Sequence, residues 1–296
     1  MTFALSTNWN NRRLTSGEAI VEEAQALGFE ALELGFHTTM EHVAGFKSRL
    51  DEMPVRSIHA FCPVPLSAPC GYPELYLLAD FDEAARGLAR VHVKKNIAFA
   101  AEMGAEAVVL HAGRVPCQTI FARNRPKKRL RVGRKLVDVF RRELDALAPV
   151  LEAHRVTLGL ENLPYLEGFP NEAEIRDLVG DWVRPWLDTG HAYVRQTKGW
   201  VAASAAEATG FVQPVGLHLN DSRGGDDHLP PGEGKIDFAA LEPVARAARH
   251  LVLEPHAGVT LEALKRGLAF LRQVWGAGAT SSNRLNPPVA DGVKRI

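Results

Sequence analysis

The chain has 296 residues, 46% hydrophobic and 24% charged, and its 35 basic and 35 acidic residues cancel to a formal net charge of zero. That length and polarity allow a sizeable buried core, while the balanced charge supplies no global field for nucleic acid or an anionic membrane. No apolar run approaches the roughly 20 residues needed to span a bilayer. The amino terminus lacks the basic start and apolar stretch of a secretory leader, and Cys62, Cys70 and Cys117 form no paired framework. These features predict a cytoplasmic protein with no membrane partner.

Short apolar runs alternate with amphipathic stretches along the whole chain. The first strand is predicted at Phe3–Ser6, and the first helix runs from a capping Ser16 to Leu27, where Gly28 ends it. A strand at Ala31–Phe36 precedes a helical stretch over Thr39–Glu52. The third strand, Val55–Ala60, opens into a Pro-rich loop from Cys62 to Tyr72, and the following helix ends near Met103. The fourth strand is Ala107–His111, followed by a basic loop and a long helix reaching His154. Val156–Glu161, Trp186–Asp188, Val215–Asn220 and His250–Glu254 complete the strands, with a short helix at Asn171–Val179 and the last at Thr260–Trp275. Eight such strand–helix units predict an α/β fold, a single (β/α)8 TIM barrel over residues 1–275. The tail, 276–296, is rich in Gly, Ser, Asn and Pro and reads as an arm through which copies of the chain could associate as a homo-oligomer.

Barrel chemistry sits at the carboxyl ends of the strands. Successive strands here end in His59, His111, Glu161 and Asp188, with His191 three residues on. The seventh strand carries His218, its loop holds Asp226 and His228, and the eighth ends at Glu254. Each residue alone has a dull explanation as a solvated or hydrogen-bonded boundary group. Together they deliver imidazole nitrogen and carboxylate oxygen to one rim, and such a cluster needs cations to offset its repulsion. The expected cofactor is a divalent metal.

Leu-Glu-Asn at 160–162, Leu-Asp-Thr-Gly-His at 187–191, His-Leu-Asn-Asp at 218–221 and Asp-Asp-His-Leu-Pro-Pro-Gly-Glu-Gly at 226–234, with the terminal Leu-Glu, resemble the xylose isomerase-like TIM barrels. That superfamily includes sugar phosphate isomerases and epimerases as well as the endonuclease IV-like enzymes, AP endonuclease family 2. The isomerase branch implies one divalent ion on Glu161, Asp188, His218 and Glu254, with Glu161 and Glu254 as the catalytic acid–base pair. The endonuclease IV-like branch implies three zinc ions. His59, His111 and Glu161 would hold the first; Asp188, His218 and Glu254 would join Glu161 on the second; His191, Asp226 and His228 would hold the third.

Proton transfer between carbons needs one Lewis acid and two carboxylates, which leaves five of these residues surplus, whereas phosphoester cleavage uses a multi-metal cluster. The expectation is therefore a metal-dependent hydrolase of small-molecule phosphoesters with up to three Zn2+ ions. The alternative is a sugar or sugar-phosphate isomerase or epimerase with one ion, Mn2+ and Mg2+ included, and a non-catalytic metal-binding scaffold stands third. The loop Gly35–His42 lacks the basic character needed to wedge a duplex, and Ala60–Cys70 is apolar, so a phosphorylated or sugar-like small molecule is expected rather than DNA. Arg123–Lys135 carries eight Lys or Arg residues and no acid, at the start of a helix where cations oppose the macrodipole. Lys127, Lys128, Arg129 or Arg131 would then bind a substrate anion, with Arg223 a second candidate. Trp9, Phe61 and Tyr165 would wall the pocket.

Overall fold

A computed structural model describes residues 1–116, 125–200 and 213–276. The predicted arm beyond Gly276, Cys117 and Arg123 lie outside these residues, as does the side chain of Lys128. Eight parallel strands close into a barrel: β1 (Ala4–Ser6), β2 (Ala31–Leu34), β3 (Val55–His59), β4 (Ala107–Leu110), β6 (Thr157–Glu161), β8 (Val183–Asp188), β9 (Gly216–Leu219) and β10 (His250–Leu253). Each pairs with its sequence neighbours around the ring, and β1 closes on β10 through Ala4↔Val252 and Leu5↔Leu253. Two short strands, β5 (Gly113–Arg114) and β7 (Gly168–Phe169), form an antiparallel ribbon beside the rim.

The helices lie between the strands because the local sequence starts and stops them there. Ser16 caps α1 (Gly17–Ala26), its Oγ accepting from Ala19 N–H at 3.2 Å, and Gly28 leaves the helix at φ +86°. Outside the barrel, Ile20, Leu32, Ile58, Leu110, Phe140 and Leu268 belong to one continuous apolar cluster between sheet and helices. The helix at Thr189–Thr197 was not anticipated by periodicity; Asp188 begins it by accepting from His191 N–H at 2.7 Å. Among the described residues no helix is long and apolar enough to cross a membrane.

The interior of the barrel is divided by one side chain. Trp186 lies inside, packed with Ala4, Ala31, Ala107, Val109 and Val252. Its ring occupies the space that two neighbouring strands leave open. A Cβ at Gly159 would lie 2.9 Å from the indole and one at Gly216 would lie 2.4 Å from it. The glycines are therefore needed for close approach. On the carboxyl side of this plug the interior turns polar, and every predicted ligand except Asp226 gathers there.

Candidate metal centre

Immediately above Trp186, β2 and β3 contribute Glu33 and Ser57, paired in register and joined by a hydrogen bond from Ser57 Oγ to Glu33 Oε2 at 2.8 Å. His218 on β9 reaches across to Glu33, with Nε2 at 3.1 and 3.2 Å from its two oxygens. A carboxylate accepts, so Nε2 carries a proton held by Glu33 and Nδ1 is the nitrogen turned to the rim. There it stands 3.1 Å from Glu161 Oε1 and 3.1 Å from Glu254 Oε2.

The same arrangement recurs in three other histidines. His59 Nδ1 donates to the Ala60 carbonyl at 3.1 Å, His191 Nδ1 to the Asn162 carbonyl at 2.8 Å, and His228 Nδ1 to the Glu254 carbonyl at 2.8 Å. Carbonyl oxygens accept only, so Nδ1 carries a proton in each ring and Nε2 is the nitrogen left to ligate a metal. Fixing one ring nitrogen so that the other can ligate is the usual support of a metal-binding histidine. His59 Nε2 and His111 Nε2 each lie 3.1 Å from Glu161 Oε2, and His111 Nδ1 is 3.5 Å from Glu74.

Four overlapping donor groups result, each with its ligand atoms within 4.8 Å: His59–His111–Glu161, His59–His218–Glu254, Asp188–His191–His228 and Glu161–Asp188–His218–Glu254. A tetrahedral ion with bonds of about 2.0–2.1 Å would hold its donors about 3.3 Å apart. The observed 3.1 Å separations fit that spacing. The donor chemistry therefore suits a divalent cation.

Electrostatics agree. Burial alone would lower the pKa of His218, yet the carboxylates of Glu254, Glu33 and Glu161 overcome it and hold the imidazole well above its ordinary value. His111 behaves alike: burial is outweighed by Glu161 and Glu74, and its pKa rises to about 9. Burial would raise Glu161, but His218 and His111 hold it well below the usual range, whereas burial keeps Asp188 raised. Protein groups alone leave these carboxylates drawing positive charge onto the imidazoles.

Asparagines set the ligands. Asn162 receives Asp188 N–H on its Oδ1 at 2.7 Å and donates Nδ2 to the Asp188 carbonyl at 2.9 Å. Asn220 donates Nδ2 to Asp188 Oδ2 at 2.7 Å and accepts His228 N–H on Oδ1 at 3.0 Å. Asn8 donates to Glu254 Oε1 at 3.2 Å. These three, with Glu33 and Glu74, were missed as site residues. The signals were an acid inside the apolar run Ala31–Leu34 and the Asn in Leu-Glu-Asn and His-Leu-Asn-Asp.

Several expected site residues lie elsewhere. Asp226 is exposed and belongs to none of the donor groups; its carbonyl accepts from Arg223 N–H, and Asp227 instead lies 3.7 Å from His191 Nε2. In the same turn His228 adopts φ +55°. Arg129 does not await an anion: it is buried, forks onto Glu174 at 2.5 and 2.9 Å, and donates to the carbonyls of Leu166 and Gly168. Lys127 and Arg131 are exposed on the helix surface. Trp9 is buried with Nε1 donating to the Val259 carbonyl at 2.8 Å, and Phe61 is fully buried edge-on to Tyr76. Both are packing residues that offer a ligand no exposed wall. Arg223 is exposed, its Nε donating to the Glu233 carbonyl at 2.9 Å.

A closed parallel barrel with buried His, Glu and Asp donors at its carboxyl rim defines a TIM barrel with a metal-capable centre. The chain belongs to the xylose isomerase-like TIM barrel family, whose model matches residues 21–274. Among solved structures it resembles a D-tagatose 3-epimerase-like protein, with TM-score 0.68 and 20% identity over 95% of this chain and 100% of that one. It also resembles the 3-keto-D-glucoside 4-epimerase YcjR from E. coli, with TM-score 0.65 and 16% identity over 92% and 99% of the two chains. A Thermus thermophilus protein soaked with zinc chloride aligns with TM-score 0.61 and 24% identity over 94% and 99%. At these identities the likeness shows the fold. No curated protein matches the sequence.

Proposed function

We propose that this chain is a divalent-metal-dependent isomerase or epimerase acting on a sugar or a sugar derivative. The observation that carries the reading is the placement of Glu161 and Glu254. They come from β6 and from the residue after β10, and each brings one carboxylate oxygen to 3.1 Å from the same nitrogen, His218 Nδ1. Two buried carboxylates thus face one another across a shared centre, as required to take a proton from one face of a carbon and return it from another. A divalent ion bound by Glu161, Asp188, His218 and Glu254 would supply Lewis acidity to substrate oxygens. The protein's part is to hold the two carboxylates in place: Asn8 fixes Glu254, and His59 and His111 fix Glu161. The solved structures reported above that carry an activity in their names are sugar epimerases, which accords with this chemistry.

The hydrolase reading is weaker because the third triad lacks Asp226 and Arg129 is committed internally. His59–His111–Glu161 remains in its favour. Solvent deuterium exchange into a panel of ketoses and keto-glycosides separates the two. Exchange is expected with the metal-loaded protein and should fall by about 10²–10⁴ in Glu161→Gln and Glu254→Gln, with metal content measured alongside. Cleavage of a generic phosphodiester with no exchange into any sugar would replace this reading by the hydrolase.

A further inference from the structure

The opposite, amino-terminal end of the barrel holds a cavity of about 140 Å³ whose lining includes Ala4, Ala31, Arg56, Glu106, Arg249 and His250. Barrel interiors are ordinarily filled by bulky branched side chains. Below Trp186, β1 and β2 supply only Ala4 and Ala31, so the hollow follows from the sequence.

His250 forms its floor. It is 3% exposed, its ring stacks on Trp186 with centroids 5.8 Å apart, and neither Nδ1 nor Nε2 has a partner among the described residues. Trp186 Nε1 is likewise buried and has no partner among the described residues. A buried polar group left without a partner is costly. At the mouth, the guanidinium groups of Arg249 and Arg56 reach the single carboxylate of Glu106 at 3.3 and 3.6 Å. Two cations against one anion leave a positive surplus. Arg249 also borders an adjoining cavity, of about 390 Å³, with Arg184 and Asp181 on its wall.

We propose that this end of the barrel is a binding site for a small oxyanion, with Arg56 and Arg249 gripping its oxygens and an imidazole N–H of His250 donating from the floor. Two guanidinium groups disfavour a cation. Water would satisfy the imidazole but leave the surplus charge unused. Carboxylate and phosphate share the needed acceptor chemistry, and their relative effect identifies which is preferred.

The test is thermal unfolding of the metal-loaded protein with inorganic phosphate or acetate, against chloride at matched ionic strength. A saturable rise in Tm is expected for at least one anion, and its apparent Kd should increase about tenfold or more in His250→Phe and in Arg249→Ala. Arg249 is 64% exposed, so its replacement keeps the test usable if His250→Phe folds poorly. The response should persist in Glu254→Gln, which alters the other end. No saturable response to either anion, or an equal response in wild type and Arg249→Ala, would overturn the site. A response lost only in Glu254→Gln would place the anion at the metal rim and overturn it equally.

Discussion

A histidine can ligate a metal only through a nitrogen that has lost its proton, and here backbone and carboxylate acceptors make that choice. His59, His191 and His228 each give Nδ1–H to a carbonyl, while His218 gives Nε2–H to Glu33. Asn220 does the corresponding work for a carboxylate, since it fixes Asp188 Oδ2 while receiving His228 N–H. Its replacement by Ala should weaken zinc affinity by about 10–100-fold, read by competition with a chromogenic chelator. Affinity equal to wild type would mean that the strand and the His191 N–H hold Asp188 without Asn220. Position at the carboxyl ends of the strands made His59, Glu161, Asp188 and His218 legible, because the barrel gathers those ends at one rim. Glu33 was hidden: a four-residue buried strand is apolar on both faces, so one acid within it looks incidental until its partner across the barrel is known.

The loop after β9 shows how an element can be functional in outline and structural in detail. Asp221 is buried, and its carboxylate accepts N–H groups from Ser222, Gly232, Gly234 and Ile236 at 2.8, 3.0, 2.8 and 3.0 Å. Its backbone pairs in both directions with Leu229, which seats His228 over the rim. Gly234 is required for close approach, because a Cβ there would lie 2.2 Å from Asp221 Oδ1. Asp221→Ala should lower unfolding free energy by about 2–4 kcal/mol, given several orphaned donors, measured by urea titration. A change below about 0.5 kcal/mol, the range of an ordinary surface substitution, would show that water replaces the carboxylate freely. The motif Asp-Asp-His-Leu-Pro-Pro-Gly-Glu-Gly was legible as a site loop. The fate of Asp226 was not, since residue type does not say which of two adjacent aspartates faces the rim, and Asp227 is the one near His191. Charge density misled likewise at Arg129, where the deciding partners are Glu174 and two carbonyls 37 to 45 residues away.

At the scale of the whole molecule, Trp186 separates two polar ends that sequence reading had not distinguished. Counting strands predicted closure, because eight parallel units of this length have few other ways to bury both faces. The hollow below the indole was invisible to that count, since it depends on which side chains from β1, β2 and β10 share one layer. This lower end should dominate part of the acid response. Burial pushes the His250 pKa down to about 4, with Glu106 and Glu33 pulling it up and Arg249 and Arg56 pushing it further down. The folded state therefore prefers the neutral ring. Its contribution is complete above the unfolded value of about 6.5, and it is lost as pH falls from there towards 4. By pH 5 the loss should reach about 2 kcal/mol. Burial also lowers His37, His92 and His256, while nearby carboxylates raise His111, His218 and His228, which oppose the trend, so the difference between wild type and His250→Phe isolates the term. In phosphate-free buffer that difference in unfolding free energy should shift by about 2 kcal/mol between pH 8 and pH 5, in favour of the variant. Parallel stability curves would show instead that His250 charges freely in the folded protein, through a partner that compensates its burial.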